Sequence, residues 1–284
     1  MKEWNELDLD KLEKNELKIL SNNEFDNALV VISNLIARAT TKWTLEETKL
    51  FLCSISKIRT RDKDCWVTMS KRDIAEKLDI DPTNRTKMRE MFKRMVQKSY
   101  VEIDGDGDLE YLDGVLLTGI KSTKKEISVR FNDTYMPLLD QLSAHFTEFY
   151  LEYVKDFSRL SSYNLYVYLC SWHDPDYLIQ NKKVKKSELP KIFNLKESDY
   201  WRDYGTEKAR FHFADFEKKC LNPAIKEINQ LNKEHKCDMC IESCDKIKNG
   251  KFVLGYDIRY SFTDKDGFRT VSYTHLRAHE TRSN

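Results

Sequence analysis

The sequence predicts an α+β fold made of two similar units, in each of which helices are followed by a β-hairpin. Each half of the chain contains a short helical segment, a turn and a longer amphipathic helix, followed by segments with strand-like alternation. The 284 residues are enough for two domains of ordinary size. Two basic segments, residues 71–98 (9 basic against 5 acidic) and 182–219 (11 against 7), lie one in each half. This spacing suggests a duplicated module.

The composition indicates a globular protein with a highly charged surface. Hydrophobic residues make up 40% and charged residues 33% of the chain. No apolar run approaches the roughly 18 residues that a membrane helix needs, and the polar, acidic start Met1–Asp10 excludes the apolar core of a signal peptide. The seven cysteines are odd in number and scattered, which argues against a disulfide framework and for a reducing cytoplasm.

The first half begins with residues 27–39, an apolar segment predicted to be helical. Thr44 and Glu47 have the spacing of a capping box and open a helix that runs through roughly Ile58. Residues 65–69 are a candidate short strand. Ser70 then caps a short helix, which the turn at residues 79–84 ends because Pro82 disfavours helix at the preceding residue.

A longer helix is predicted from about Arg85 to Lys98. Its apolar positions follow the i, i+3, i+4, i+7, i+8 pattern of one buried stripe: Met88, Met91, Phe92, Met95 and Val96. The opposite face is largely basic, so the two helices form a helix-turn-helix pattern. Strand candidates follow at residues 100–103, 109–120 and 125–131, with an Asp-Gly hairpin turn at 104–108. Helices followed by a β-hairpin are the winged-helix arrangement.

The second half repeats this order without visible sequence repetition. The predicted elements are an extended segment, a buried helix, a short segment capped by Ser187, a long helix and two closing strands: 146–157, 160–172, 187–195, 213–231, 239–247 and 252–262. Pro223 lies inside the long helix, where it should produce a kink at a cost of about 3 kcal/mol. Glu217 falls on the apolar side of the same helix.

These elements predict a domain organisation with an acidic extension at residues 1–26, which belongs to a segment of net charge −4 over residues 1–27 (4 basic against 8 acidic). The first winged-helix domain spans 27–132. A linker at 133–145 leads to the second winged-helix domain at 146–270. The tail at 271–284 contains VSYTHLRAHET, which resembles a translated sequencing adapter, so we expect the natural reading frame to differ after about Thr270.

Basic residues on the two longer helices, on the segment before the second one and on the closing hairpin are the candidate DNA contacts. Arginine and lysine on a helix in the major groove can neutralise phosphates and donate to guanine edges. For the first helix taken alone, the alternative interpretation of the basic face is an ordinary solvent-exposed surface. The presence of a second basic module favours DNA binding. The predicted contacts are Arg85, Thr86, Arg89, Lys93, Arg94, Lys208, Arg210, Lys218, Lys219, Asn222, Lys248 and Lys251.

Metal and catalytic motifs are weak by comparison. Cys237, Cys240 and Cys244, with His235 nearby, could hold zinc, but no second CxxC pair completes a ribbon. The Asp-Gly turn lacks the glycine and the acidic ligand of a calcium loop. There is no phosphate-binding loop, dinucleotide motif or metalloprotease helix. We therefore expect no cofactor and no enzyme activity.

Three stretches resemble the plasmid replication initiators of the iteron-binding, two-winged-helix class. The first is Asn27–Leu29 together with the helix containing Leu45–Leu50. The second is the long helix, with Asp215–Leu221 running into Pro223–Asn229. The third is the closing hairpin: Lys246–Lys251 with Ile258–Phe262. The resemblance covers roughly residues 25–265.

The resemblance implies that both domains dock in successive major grooves on short direct repeats (iterons) of double-stranded origin DNA, and that the second domain supplies much of the sequence reading. Lys218, Lys219 and Arg210 match basic positions of the family, whereas Glu217 stands where a basic residue is expected. Members dimerise through the first domain as repressors and bind origins as monomers. The resemblance therefore implies dimerisation and DNA backbone contact for residues 27–132, and sequence-specific DNA binding for residues 146–270. Host helicase and primase would follow; no membrane is involved.

Three alternatives remain open. A winged-helix transcription regulator needs the same DNA contacts, so the sequence does not separate it from an initiator. A rolling-circle nicking enzyme is disfavoured because outside the tail there is no His-hydrophobic-His pair. A protein-interaction module is the third, since winged helices also bind proteins.

Overall fold

The computed structural model describes residues 29–58, 61, 63–77, 85–104, 110–140, 146–174, 176–196 and 198–263. The first described elements are strand β1 (Leu29–Ser33) and helix α1 (Asn34–Arg38). The prediction of a helix over residues 27–39 is therefore wrong for its first part. The run Val30–Ile32 pairs antiparallel with β7 (Phe146–Tyr150), more than a hundred residues away, and β-branched residues favour such pairing. Residues 1–28, with the whole of the predicted acidic extension, lie outside the described residues.

The helices of the first winged helix confirm the sequence prediction closely. Helix α2 (Leu45–Ile55) begins at a complete capping box between Thr44 and Glu47. Strand β2 (Trp66–Ser70) leads into α3 (Lys71–Lys77), and α4 (Arg85–Gln97) follows. The apolar stripe of α4 is buried at Met88, Met91, Phe92 and Met95, and Val96 packs against the core. The predicted turn at 79–84 is outside the described residues.

Four strands complete this unit. They are β3 (Tyr100–Asp104), β4 (Tyr111–Val115), β5 (Leu117–Ser122) and β6 (Glu126–Phe131). Strands β3 and β4 form an antiparallel hairpin, while β2, β6 and β5 form a three-stranded sheet in that order. The predicted strand over 109–120 is thus two strands, divided at Leu116. The sheet and α2–α4 enclose one core.

The segment predicted as a linker contains a 3₁₀-helix, Asp133–Leu138. Tyr135 and Leu139 are buried in it. Strand β7, which the sequence assigns to the second domain, pairs with β1 of the first. Helix α5 (Glu152–Lys155) follows, so residues 146–157 are only partly extended, because the chain turns helical after Leu151. The predicted domain boundaries stay a prediction.

The second winged helix is built around α6 (Leu160–Cys170) and a sheet of β8 (Ile179–Lys185), β11 (Met239–Asn249) and β12 (Phe252–Phe262), ordered β11–β12–β8. Between them lie a single 3₁₀ turn (Lys186–Glu188), α7 (Leu189–Ile192) and the two-residue strands β9 (Trp201–Arg202) and β10 (Arg210–Phe211). Ser187 lies inside the 3₁₀ turn, so it does not cap the short helix as predicted, because that turn continues directly into α7.

The long helix of this unit is α8 (Phe213–Phe216), a π-helical turn (Glu217–Leu221) and α9 (Asn222–Lys233), one directly after another. The expected disturbance at Pro223 takes the form of this wide turn. Proline has no N–H and its ring clashes with the carbonyl four residues earlier. Here the amide of Asn222 already donates to the carbonyl of Glu217, five residues back. The helix continues through the proline with Ala224, Ile228 and Leu231 buried.

The two units contact each other through polar and aromatic groups. Arg38, at the end of α1, donates from Nε to Ser171 Oγ at 2.8 Å and lies 3.7 Å over the Trp172 ring. Lys182 of β8 lies 3.0 Å over the same ring. Asn194 Nδ2 donates to the Thr41 carbonyl at 2.6 Å. No helix among the described residues is long and apolar enough to cross a membrane.

Candidate nucleic-acid interface

The π-helical turn presents two adjacent lysines to solvent. Lys218 and Lys219 are exposed, as is Asn222 one turn later, while Phe216, Cys220 and Leu221 are buried beneath them. Within the described part of the chain neither lysine has an ion-pair or hydrogen-bond partner. The turn therefore offers two unneutralised cations and an amide on one helix face, which is the donor set that phosphates and base edges accept.

The predicted contacts before this helix lie on the small β9–β10 hairpin. Lys208 and Arg210 are exposed, and Arg210 is paired in register with Arg202. Phe211 is buried next to Arg210 and contacts Phe213 and Phe216 in edge-to-face geometry or close to it. Aromatic packing thus anchors the end of the hairpin to the start of the helix. Sequence analysis predicts no strand in this region, because strands of two residues carry no periodic signal.

Glu217 connects the long helix to the closing hairpin. Its Oε1 accepts hydrogen bonds from Tyr256 Oη on β12 and from Lys246 Nζ on β11, both at 2.8 Å. Burial, and then the adjacent carboxylate, raise the pKa of Tyr256 well above its ordinary value. The carboxylate expected to interrupt a basic face therefore points inward and fixes the hairpin to the helix.

The closing β11–β12 hairpin is the wing of the second unit. Lys248 and Lys251 are exposed at its tip, on either side of Gly250, whose φ of 57° is the left-handed conformation that glycine adopts without strain. At the base, a side chain on Gly255 would overlap the carbonyl oxygen of Val184. Strands β12 and β8 can approach this closely only with glycine there, and the wing is thereby held against the sheet.

Helix α4 of the first unit has a different electrostatic setting. Thr86, Arg89, Lys93 and Arg94 are all exposed on α4, as the helical periodicity predicts; the side chain of Arg85 is outside the described residues. Arg94, however, donates from Nε to Glu47 of α2 at 3.1 Å, and Lys93 lies 4.0 Å from Glu90. The prediction of α4 as a DNA-contacting face therefore rests chiefly on Arg89, which has no such partner in the described region.

Glu47 is a fully buried carboxylate held by cations and backbone. Only 1% of the residue is exposed, and its oxygens accept from Arg94, from Lys98 at 2.9 Å and from the Thr44 amide at 2.9 Å. Burial alone would raise the pKa of this carboxyl, but the Thr44 amide and the two cations outweigh it and hold the pKa below 4.5. Sequence analysis assigned Glu47 to the cap alone, since its cationic partners lie about fifty residues away.

Two further cations that the prediction omitted lie near the second unit's helix. Lys246 is bound to Glu217, and Lys186 Nζ lies 4.7 Å over the Trp201 ring. Lys186 belongs to the second basic segment of the sequence and Lys246 to the closing hairpin, but charge runs alone do not indicate which side chains are engaged. Lys218 and Lys219, by contrast, are exposed and make no such contact among the described residues.

The cysteines considered as possible zinc ligands are not joined by enough other ligands to form a site in the described part of the chain. Cys237 precedes β11 and is buried, whereas Cys240 and Cys244 lie on the strand. Burial raises the pKa of the Cys237 thiol well above its usual range and that of Cys244 to about 12. Among the described residues no group of three histidine, cysteine or acidic side chains is placed to hold a metal ion.

Comparison with solved structures supports this architecture. The chain is similar to the Pi initiator protein, solved in complex with iteron DNA, with a TM-score of 0.61, 15% identity and coverage of 84% of this chain and 98% of that one. Domains 2 and 3 of RctB are a more distant likeness (TM-score 0.44, 11% identity, coverage of 78% and 85%). A second RctB structure gives 0.38 and 12%, covering 77% and 80%. No curated protein matches the chain.

Two family descriptions match consecutive parts of the sequence. Residues 29–170 match the initiator replication protein WH1 domain, and residues 185–260 match the initiator Rep protein WH2 domain. The first match runs from β1 through α6, and the second from the end of β8 into β12. Helix α6, described above with the second unit, therefore falls within the WH1 match. The chain therefore belongs to the family of initiator replication proteins, with two winged-helix domains in tandem.

Proposed function

We propose that this chain initiates plasmid replication by binding short direct repeats (iterons) of double-stranded origin DNA, and that it acts through binding energy without bond chemistry. The observation that carries the proposal is the face of the second long helix, where Lys218, Lys219 and Asn222 are exposed beside a wing anchored by Glu217. The similar Pi initiator protein was solved with iteron DNA, which supports the same ligand class here.

In this proposal the second unit reads sequence and the first contributes backbone contacts. The long helix enters the major groove, with Lys218 and Lys219 donating to phosphates or guanine edges and Asn222 to a base edge. Arg210, Lys208, Lys248 and Lys251 neutralise flanking phosphates. On the first unit Arg89 is the main contact, with Thr86, Lys93 and Arg85 beside it and Arg94 shared with Glu47.

Loading several copies on adjacent repeats supplies the energy to deform the origin. Bending 20–30 base pairs costs on the order of 1–6 kcal/mol, which the combined contacts of several copies can offset. We also propose that the free protein dimerises through its first domain and represses its own expression, while the origin-bound form is monomeric. Host helicase and primase then enter at the opened, AT-rich stretch.

A selection experiment tests DNA binding whatever the sequence of the repeat. The full chain is used to enrich duplexes from a random pool, and the recovered sequence is compared with a scrambled duplex in gel-shift titrations at two salt concentrations. We expect sequence-specific binding whose log K falls with log salt by about 0.9 per neutralised phosphate. Failure to enrich any sequence, or equal binding to both duplexes, would contradict the proposal and favour a protein-interaction role.

A transcription regulator is the second candidate, because the same contacts would serve it. Plasmid maintenance separates the two: an initiator supports replication of a plasmid that carries the selected repeats, and its Lys218→Ala/Lys219→Ala variant does not. Binding without maintenance would favour the regulator. Strand scission of the duplex in the presence of magnesium or manganese would instead indicate a nicking enzyme.

A further inference from the structure

The wing of the second unit exposes two large apolar side chains at its tip. Phe252 is 65% exposed and Leu254 is 50% exposed. Among the described residues Phe252 is the most exposed large apolar side chain. The apolar side chains of β12 beyond Gly255, such as Tyr256 and Ile258, are buried instead. The apolar exposure is thus confined to the end of the hairpin.

The geometry of the strands keeps these side chains away from the core. Strand β8 pairs with β12 only from Gly255 to Ser261, so the hairpin projects past the sheet as a two-stranded ribbon. Its register shifts between Ile247 and Lys248, which leaves Leu254 without a cross-strand partner. Such a bulge re-aims side chains. Phe252 and Leu254 both lie within this projecting ribbon.

Cations surround the apolar pair. Lys248 and Lys251 lie on the ribbon, residues 246–254 contain no acidic residue, and Lys251 Nζ lies 5.7 Å over the Phe252 ring. A partner for this tip must therefore combine negative charge with apolar surfaces. Duplex DNA has both, in its phosphates and in the faces of its stacked bases.

The position of the wing favours DNA over an anionic membrane. Glu217, which holds Lys246 and Tyr256 of the wing, is the neighbour of Lys218 on the long helix. A helix seated in the major groove would carry the attached ribbon along the same duplex, to the adjacent minor groove. Apolar side chains that enter a minor groove between base pairs unstack them and bend the duplex.

We propose that Phe252 is a wedge that enters a base step next to the sequence read by the long helix, with Leu254 beside it and with Lys248 and Lys251 on the flanking phosphates. This inference rests on the proposed DNA-binding function and adds a deformation site to it. Pyrimidine–purine steps are the most easily unstacked, so the wing selects such a step at a position where it makes no hydrogen bond to a base.

Base unstacking can be measured directly with 2-aminopurine, whose emission rises when it leaves the stack. The full chain is titrated onto the enriched duplex with 2-aminopurine placed at successive positions. We expect wild type to raise the emission several-fold at one step. Phe252→Ala should abolish the rise and weaken binding about tenfold, whereas Phe252→Leu should retain part of both effects.

Tyr111→Ala is the matched control, since Tyr111 is 64% exposed on the hairpin of the other unit. It should leave the emission unchanged, and circular dichroism should show unaltered melting for both alanine variants because both side chains are exposed. Lys251→Ala should weaken binding but keep the emission rise, which separates the phosphate contact from the wedge.

The outcomes distinguish this inference from the proposed function. If wild type enriches no duplex, DNA binding itself fails. If wild type binds specifically but Phe252→Ala matches it in affinity and emission, the wedge is wrong while the function stands. If Phe252→Ala instead loses binding to phosphatidylglycerol vesicles and keeps duplex binding, the tip is a membrane contact and the inference is overturned.

Discussion

The two long helices differ in how many of their cations are available. On α4 the exposed Arg94 is bound to Glu47, and Lys98, which follows the helix, is bound to the same carboxylate. On the second helix Lys218 and Lys219 have no ion-pair partner in the described region, and Glu217 turns inward to the wing. Both parent segments carry the same net charge of +4 by count. The net charge of a segment therefore does not show how many cations its helix can offer to DNA. The positions of the acidic residues determine that number.

The acidic residues of the two units have different structural roles. In the first unit, Arg94 and Lys98 stabilise the contact between α2 and α4. In the second, the acid that could have neutralised the helix face holds the wing instead. We infer that most of the affinity for DNA comes from the second unit, and the predictions below test this asymmetry.

The largest effect is expected for Lys218→Ala/Lys219→Ala. DNA affinity should fall by on the order of 1–3 kcal/mol for each lysine that contacts DNA, and the salt slope should decrease by about 2 in total. Arg89→Ala/Lys93→Ala is the matched double variant on α4 and should lose clearly less. Gel-shift titration at several salt concentrations measures both; equal losses would refute the asymmetry.

Glu47→Gln should reduce stability rather than DNA contact. Charged hydrogen bonds contribute about 1.5–3 kcal/mol each when fully formed; because Arg94 and Lys98 are partly exposed, we expect a loss of about 1–2 kcal/mol in all. Urea unfolding at neutral pH measures it, with Glu46→Gln as the neighbouring control on the same helix.

The same residue predicts a pH dependence. The folded pKa of Glu47 lies below 4.5, so its contribution to stability is present above the unfolded value and is lost as the pH falls through the folded pKa. Wild type should thus lose its advantage over Glu47→Gln in acid. A constant difference between the two proteins from neutral pH into acid would show that the charge of Glu47 is not what stabilises the fold.

Glu217→Gln should have a moderate effect that appears in DNA binding. Glutamine can still accept from Tyr256 but cannot pair with the charge of Lys246, so the wing is held less firmly. We expect a several-fold loss of affinity with stability changed by less than about 1 kcal/mol. Lys246→Ala should reproduce the loss if positioning is the cause; tighter binding by Glu217→Gln would instead indicate simple charge repulsion from phosphate.

Arg94→Ala should give the smallest effect on DNA. Because its side chain is 47% exposed and bound to Glu47, we expect a stability loss of about 0.5–1 kcal/mol and DNA affinity within about twofold of wild type. Thermal melting and gel shift on the same preparation separate the two quantities. A loss of affinity larger than that of Arg89→Ala would show that Arg94 contributes directly to DNA binding.

Local patterns predicted the local elements, and long-range pairing accounts for most of the rest. Helices α2 and α4 were predicted within a few residues because a capping box and a complete apolar stripe are contained in the segment itself. The start of the chain was predicted to be helical because the partner of β1 lies in β7, far along the sequence. The two-residue strands β9 and β10 are too short to show alternation, and the π-helical turn has no periodic signature.

The candidate site divides in the same way. Exposure of Lys218, Lys219 and Asn222 follows from the helical period, so the sequence was sufficient. The engagement of Arg94 by Glu47 and the inward position of Glu217 depend on contacts with other elements. Phe252 was assigned only to a strand, because its exposure results from β12 extending past the end of β8.

The stack of Arg38, Trp172 and Lys182 makes Trp172 an optical reporter of how the two halves of the chain are joined. The indole ring is covered by one cation from α1 and by another from β8. The wavelength of tryptophan emission depends on the local electric field and on the hydration of the ring. Separation of the two halves would remove one of these cations and would therefore shift the emission maximum of Trp172. Rearrangement on DNA would therefore change the part of the protein's own emission that comes from Trp172, one of five tryptophans in the chain.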